Sequence, residues 1–144
     1  MQKGVWYCQR GYKILRAIHP ISHTSSAIDV CRYRTEPYVI CADVYSGAHA
    51  EVEHGRGGWS WYTGSASWFY RVVLEDLLGF RVYTKQGEQW LSFKPNLPEE
   101  WASFRFAYRY KQTNYCFTVE RGADFSMKLE NDGKDHQMRI SKVF

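Results

Sequence analysis

Thr63, Gly64 and Ser65 stand where an apolar-periodic segment begins, directly after the string Gly55-Arg56-Gly57-Gly58-Trp59-Ser60-Trp61-Tyr62. A helix starting near Ser65 leaves its first amide groups without intrahelical partners. Those donors, with the positive end of the helix dipole, suit an anion such as phosphate. Gly55, Gly57 and Gly58 permit backbone angles and close approaches that side chains forbid. Trp59, Trp61 and Tyr62 offer flat apolar faces of the kind on which sugar rings stack. Phosphate and sugar are the suggested pair of ligands, although a plain helix cap among core aromatics would produce the same local sequence.

Two carboxylates lie upstream of this loop. Glu36 precedes Pro37, and Asp43 is the one charge in the apolar run Tyr38 to Tyr45. A buried carboxylate must be paired or functional, so Asp43 either caps or salt-bridges the following loop or meets a sugar hydroxyl. Metal chemistry is disfavoured. His19 and His23 are four apart, but Pro20 between them forbids the helical geometry that would put both on one face. In His49-Ala50-Glu51-Val52-Glu53-His54, alternation puts His54 on the side opposite the other three polar residues.

These residues need elements to hold them. Val5 to Ile18 carries Cys8, Tyr12, Leu15 and Ile18 near helical spacing and is stopped by Pro20. Thr24, Ser25 and Ser26 offer N-cap hydroxyls to a short helix from Ile28 to Tyr33. Glu36-Pro37 reads as a fresh helix start, and the run Tyr38 to Tyr45 fits a buried strand or a buried helix on periodicity alone. Ser65 to Leu78 places Phe69, Val72, Val73 and Leu77 on one face, with Gly79 as a left-handed cap. Beyond Gly79 the period switches to two. Phe104, Phe106, Tyr108 and Tyr110 alternate with polar residues, Tyr115, Phe117 and Val119 repeat the pattern, and Gln112-Thr113-Asn114 forms the turn of a hairpin. Shorter strands are expected at 80–83, 89–93, 125–129 and 137–140, with turns at Gln86-Gly87 and Asn131-Asp132-Gly133. Two parts follow, 1–79 mainly helical and 80–144 mainly antiparallel strand.

Composition limits the partners. The 144 residues suffice for one compact unit, and a net charge of +4 with bases scattered among acids gives no stripe for a nucleic-acid backbone. Aromatics at 17% suit a carbohydrate surface and a packed sandwich equally. Cys8, Cys31, Cys41 and Cys116 show no paired spacing, and three of them fall in apolar stretches as small hydrophobes, which indicates a reduced compartment. With no run of eighteen apolar residues and no leader-like N-terminus, a cytoplasmic, non-membrane chain is expected.

The linked strings Arg34-Thr35-Glu36-Pro37-Tyr38-Val39-Ile40-Cys41-Ala42-Asp43-Val44-Tyr45-Ser46, the glycine loop, Trp68-Phe69-Tyr70-Arg71 and Leu77-Leu78-Gly79-Phe80 resemble the C-terminal part of glycoside hydrolase family 94. The resemblance runs from about Ile14 to about Glu120. It implies an α+β chain in which N-terminal helices form part of an (α/α)6 barrel, followed by a small C-terminal antiparallel β domain, and it tips Tyr38 to Tyr45 towards a buried helix. It implies inverting phosphorolysis of a β-linked oligosaccharide, with inorganic phosphate as co-substrate and no other cofactor. The family's T-G-[ST]-A string carries over onto Thr63 and Gly64 as phosphate contacts, while Glu36, Asp43, Trp59, Trp61 and Tyr62 remain candidate sugar contacts. The family's proton-donor aspartate and further phosphate ligands lie upstream, in segments with no counterpart after Gln2. The chain is therefore expected to be the C-terminal portion of a longer phosphorylase or transferase, inactive alone, with an upstream chain supplying the rest of the barrel. A non-catalytic carbohydrate-binding or structural module is the rival, but a sugar-stacking platform has no need of the T-G-S-A helix start.

Overall fold

The computed structural model describes residues 2–47, 54–60 and 63–142, with side chains from Gln9 onward, that of Thr63 excepted. The chain divides into two compact units, one of residues 10–71 and the other of residues 72–144 with 1–9. Helix α1 spans Gln2–Ile18 and ends where His19, preceding Pro20, takes an extended conformation. A 3-10 turn, Pro20–His23, follows. Helix α2, Ala27–Tyr33, starts at Ser26, whose hydroxyl accepts from the Asp29 amide, and ends at Arg34 with φ 56°. The Ser26 and Ser25 hydroxyls also donate to the Asp29 carboxylate and hold its pKa below the ordinary value.

The next segment departs from expectation. Residues 36–39 form a turn closed by Val39 N–H to Glu36 C=O at 3.2 Å, and 40–47 are irregular and extended rather than helical. Val39, Ile40 and Val44 are β-branched and favour extended backbone, and the glycine loop offers Ala42, Asp43 and Tyr45 a hydrogen-bonding edge. An apolar run without periodicity could not show this in advance. Helix α3 spans Thr63–Arg71, and the coil then widens through Val72–Leu77, where Leu78 N–H reaches Val73 C=O five residues back. The described α-helices are three, and the chain is α+β as expected, with no barrel closed by its described residues.

The β unit contains two three-stranded sheets. Strands β1 (Phe80–Lys85), β2 (Glu88–Phe93) and β5 (Phe125–Lys128) lie in the order β1-β2-β5, all antiparallel. Strands β3 (Ser103–Tyr110), β4 (Thr113–Glu120) and β6 (Asp135–Ile140) form the second sheet. Gln86 and Gly87, with φ of 53° and 78°, make the tight turn of the first hairpin, and Lys111 at φ 53° begins that of the second. One pairing corrects the purely antiparallel expectation, because β6 runs parallel to β4, with Phe117 opposite Met138. Alternation reports which face a strand buries and says nothing of its neighbour's direction.

Alternation along β2 and β4 buries Leu91, Phe93, Tyr115, Phe117 and Val119 in one core with Ala123, Leu129 and Ile140. Phe93 sits at its centre, with ring centroids of Phe106 and Phe117 at 5.5 and 5.1 Å in edge-to-face arrangement. Such pairs add about 0.5–1.5 kcal/mol each beyond area burial. The Tyr115 hydroxyl donates to Glu130 C=O at 2.9 Å and accepts from the Glu130 amide at 2.8 Å, which ties the core to the link before β6. In that link Asp132 accepts from His136, the Lys134 amide and the Thr113 hydroxyl. His136 stacks on Tyr115 with centroids 5.0 Å apart.

Gly79 joins the widened helix to β1 and is required twice over. Its φ is 63°, and a β-carbon there would lie 2.1 Å from the Lys94 carbonyl oxygen. Replacement by alanine is expected to lower stability by at least about 1–3 kcal/mol from backbone strain, seen as a lower urea midpoint at unchanged slope. The second expectation concerns acid. The His136 and Lys134 bonds hold the Asp132 carboxyl down at about 2 against an ordinary 3.8. A depressed carboxyl pKa contributes stability that is complete above pH 3.8 and lost as pH falls through 2. Asp132→Asn should therefore flatten the fall of melting temperature over that interval.

Candidate functional site

The glycine loop is a short antiparallel ladder. Ala42 N–H donates to Trp59 C=O at 2.7 Å, Gly58 N–H to Asp43 C=O at 2.9 Å, Tyr45 N–H to Arg56 C=O at 2.9 Å and Gly55 N–H to Tyr45 C=O at 2.8 Å. Val44 faces Gly57 across it as the pair not bonded to each other, the closer kind of cross-strand neighbour. The far side of Gly57 is also occupied, because its amide donates to Tyr33 C=O at 2.8 Å. Three stretches of backbone, 33–35, 55–59 and 42–45, are thus laid side by side with the glycines in the middle.

That arrangement explains the glycines. A β-carbon at Gly57 would come within 2.7 Å of Thr35 Oγ1 and 3.0 Å of the Tyr33 ring, and one at Gly58 within 2.1 Å of Asp43 Oδ1. Successive residues of an extended chain face opposite ways, so the two glycines receive side chains on opposite faces. Their small size serves the chain's own packing, which a reading centred on ligand approach did not anticipate. Gly55, at φ 84°, is the loop glycine that uses the left-handed region.

Tyr33 is fully buried under the ladder. Its hydroxyl and the Cys41 thiol lie 3.2 Å apart, and the thiol donates to Asp43 C=O at 3.0 Å. Burial, reinforced by the Cys41 bond, pushes the phenol up to about 12. His23 stacks on the Tyr33 ring at 5.2 Å and bonds to Ala17 C=O, while His19 packs against Phe69 at 5.5 Å. Both histidines are used in packing. Of the described cysteines, Cys41 is buried as expected, whereas Cys31 and Cys116 are exposed.

Thr63 and Gly64 are the first two residues of α3, two positions earlier than the expected start near Ser65. Their amides belong to the first turn, which has no intrahelical acceptors. Gly64 is exposed, with nothing within 4 Å of where a β-carbon would stand, and the Ser67 hydroxyl donates to its carbonyl at 2.9 Å. Trp59 is 74% exposed. Asp43 is exposed as well, against the expectation of a buried carboxylate, because its segment is extended and its side chain lies on the outer face of the ladder. Glu36 is half-buried at the turn. Trp61, Tyr62 and the polar cluster His49 to Glu53 lie outside the described residues.

Sequence reasoning missed Tyr45. It follows Asp43 by two, shares its face of the ladder and is 48% exposed. Period-two spacing of Asp43 and Tyr45 was visible in the sequence, but a helical reading of the run separated them. The Tyr33 contact network is testable on its own. Tyr33→Phe should remove from an ultraviolet pH titration the phenol that ionises near 12, and should cost about 0.5–1.5 kcal/mol through loss of the thiol–hydroxyl bond.

Comparison with known proteins gives this geometry a context. Residues 85–140 match the glycosyl hydrolase family 65 C-terminal domain. The chain is 42% identical over 114 residues to the cyclic beta-(1,2)-glucan synthase NdvB of Rhizobium meliloti (strain 1021), an alignment covering 78% of this chain and 4% of that protein. It is 30% identical over 112 residues to solabiose phosphorylase of Paenibacillus borealis, covering 76% of this chain and 14% of the relative. With N,N'-diacetylchitobiose phosphorylase of Vibrio proteolyticus it shares 28% over 112 residues, covering 77% and 13%. The chain thus spans between 4% and 14% of the length of these relatives. Residues 5–79 match the glycosyl hydrolase 94 superfamily catalytic domain, and with more than half of its 144 residues inside that match the chain belongs to the superfamily.

Proposed function

We propose that this chain contributes phosphate- and sugar-contacting residues to an enzyme that cleaves β-glucosides by inverting phosphorolysis. The observation that carries the reading is the opening of α3, where Thr63 and an uncovered Gly64 present first-turn amides. In inverting phosphorolysis inorganic phosphate takes the place of the activated water of an inverting hydrolase and attacks the anomeric carbon opposite the leaving sugar. One carboxylic acid is then needed, to protonate the glycosidic oxygen. General acid catalysis is worth about 10²–10⁴ in rate, and we assign that group to a segment upstream of this chain. Membership of the superfamily and the relatives that are phosphorylases of disaccharides support the substrate class.

On this reading residues 1–79 are the last part of a larger helical domain and 80–144 a β domain appended to it. Nine of the eleven exposed large hydrophobics described fall within 10–71, among them Ile14, Ile21, Ile28, Tyr38, Trp68 and Tyr70, whereas Tyr33 and Cys41 are the buried hydrophobics described there. A surface of that kind is what an upstream stretch of the same enzyme would cover. No described helix is long and apolar enough to cross a membrane. We place the enzyme in the cytoplasm, where the cysteines stay reduced.

The test compares phosphorolysis by the full-length enzyme carrying this region with that by its Thr63→Val variant. Loss of one hydroxyl donor to a charged oxygen, worth about 1.5–3 kcal/mol, should raise the KM for phosphate roughly ten- to hundredfold while the KM for the disaccharide stays nearly the same. An unaltered phosphate dependence removes Thr63 from the site.

A further inference from the structure

Asp43 is held in an unusual way for an exposed carboxylate. Its carbonyl oxygen takes two hydrogen bonds, from the Gly58 amide at 2.9 Å and from the Cys41 thiol at 3.0 Å, so its main chain is pinned to the ladder and to the buried Tyr33–Cys41 pair. Its side chain lies flat on Gly58. A β-carbon at that position would be 2.1 Å from Oδ1, 2.6 Å from Cγ and 2.7 Å from Oδ2, so the carboxylate occupies the volume that any other residue would fill. No described residue donates a hydrogen bond or an ion pair to the two carboxylate oxygens. Among the described residues the anchor is thus complete on the main chain and absent on the acceptor atoms. Tyr45, two residues on, has its amide and carbonyl fixed by Arg56 and Gly55 and is half exposed on the same face.

A carboxylate is an acceptor with room for two or more donors, and as a negative charge it repels phosphate. Beside an exposed aromatic ring, its natural complement is a neutral sugar, whose vicinal hydroxyls donate to the two oxygens while an apolar ring face meets the phenol. We infer that Asp43 and Tyr45 form a sugar-hydroxyl subsite separate from the phosphate contacts, and that Gly58 is the positioning residue that lets the Asp43 carboxylate lie where it does. The inference rests on the sugar-and-phosphate reading above and adds to it the division of the two ligands between two places on the chain. Gly58 touches no ligand. It acts by leaving a space.

The experiment follows backbone amide shifts of this chain on titration with cellobiose and, separately, with inorganic phosphate. Cellobiose is expected to move the amides of Asp43, Val44, Tyr45 and Gly58. Asp43→Ala and Gly58→Ala should each weaken that response roughly tenfold or more, the fold-change that corresponds to losing a charge-assisted hydrogen bond. In Gly58→Ala the charge is retained and only its place is lost, so a weakened response there separates positioning from charge. Phosphate should move Thr63 and Gly64 and leave the Asp43 to Tyr45 amides still. A cellobiose response that is absent from 43–45, or equal in Asp43→Ala and the parent, overturns the subsite. So does an equal response of the same amides to a simple ammonium ion, which would make Asp43 a cation acceptor. Should Gly58→Ala fail to fold, Asp43→Ala, which only removes exposed atoms, still decides. Failure of phosphate at Thr63 and Gly64 with success of cellobiose at Asp43 overturns the phosphate assignment alone, so the two proposals fall separately.

Discussion

The close approach of three backbone stretches around Gly57 and Gly58 is the constraint on which the 10–71 unit depends. The Gly57 amide is used by Tyr33, the Gly58 amide by Asp43, and the two missing side chains make room for Thr35 on one face and Asp43 on the other. Any larger residue at either position would force apart strands that have little else to hold them, since the hydrophobic burial described in this unit centres on Tyr33 and Cys41. Residues 55–59 run along 42–45 as one edge of this ladder.

This explains which parts of the fold could be read from the residues alone. The β strands were legible because each buries one face, and a period of two in Phe104, Phe106, Tyr108 and Tyr110 or in Tyr115, Phe117 and Val119 has no helical interpretation. The turn of the first hairpin was legible because Gln86-Gly87 carries turn chemistry, whereas the second hairpin turns at Lys111-Gln112, and Thr113 and Asn114, expected in the turn, are the first residues of β4. The direction of β6 was not legible, since Gln137 to Ile140 alternates in the same way whichever neighbour it has. Tyr38 to Tyr45 was read as a helix on the strength of the resemblance, because a nearly unbroken apolar run has no period to decide between strand and helix. The deciding partner of that run, the Gly57-Gly58 edge, is remote in sequence and pairs through main-chain atoms that leave no mark on residue type beyond the glycines themselves.

The candidate site divides along the same line. Thr63 and Gly64 were singled out through a short string with a stated mechanism, amides without intrahelical acceptors at a helix start, and that mechanism needs no knowledge of the surrounding fold. Asp43 was noticed for the wrong reason, as a charge trapped in an apolar helix. Its interest comes from an extended backbone that exposes it, aligns it with Tyr45 and seats it on a glycine. A carboxylate in a helix and a carboxylate in a strand have different neighbours at i+2, so an error in the period was also an error in the site's membership. The cost fell on Tyr45 rather than on Asp43.

The two units also differ in what they ask of the rest of a protein. In the β unit Phe93 and Phe117 are surrounded by rings from both sheets, and its polar link is closed by Tyr115, Thr113 and Asp132. In 10–71 the helices carry Ile14, Ile21, Ile28, Trp68 and Tyr70 outward, and water contact with so many large apolar groups is unfavourable by roughly 25 cal/mol for each Å² left uncovered. Local order there comes from capping at Ser26, from the glycine ladder and from the buried Tyr33–Cys41 pair, interactions that are directional and tolerate little change. A segment held by directional main-chain bonds and lacking a large core can keep exposed groups such as Asp43 and Gly64 in fixed places only while those few bonds persist. The geometry of this candidate site is therefore more sensitive to the small residues beneath it than to the apolar surface around it.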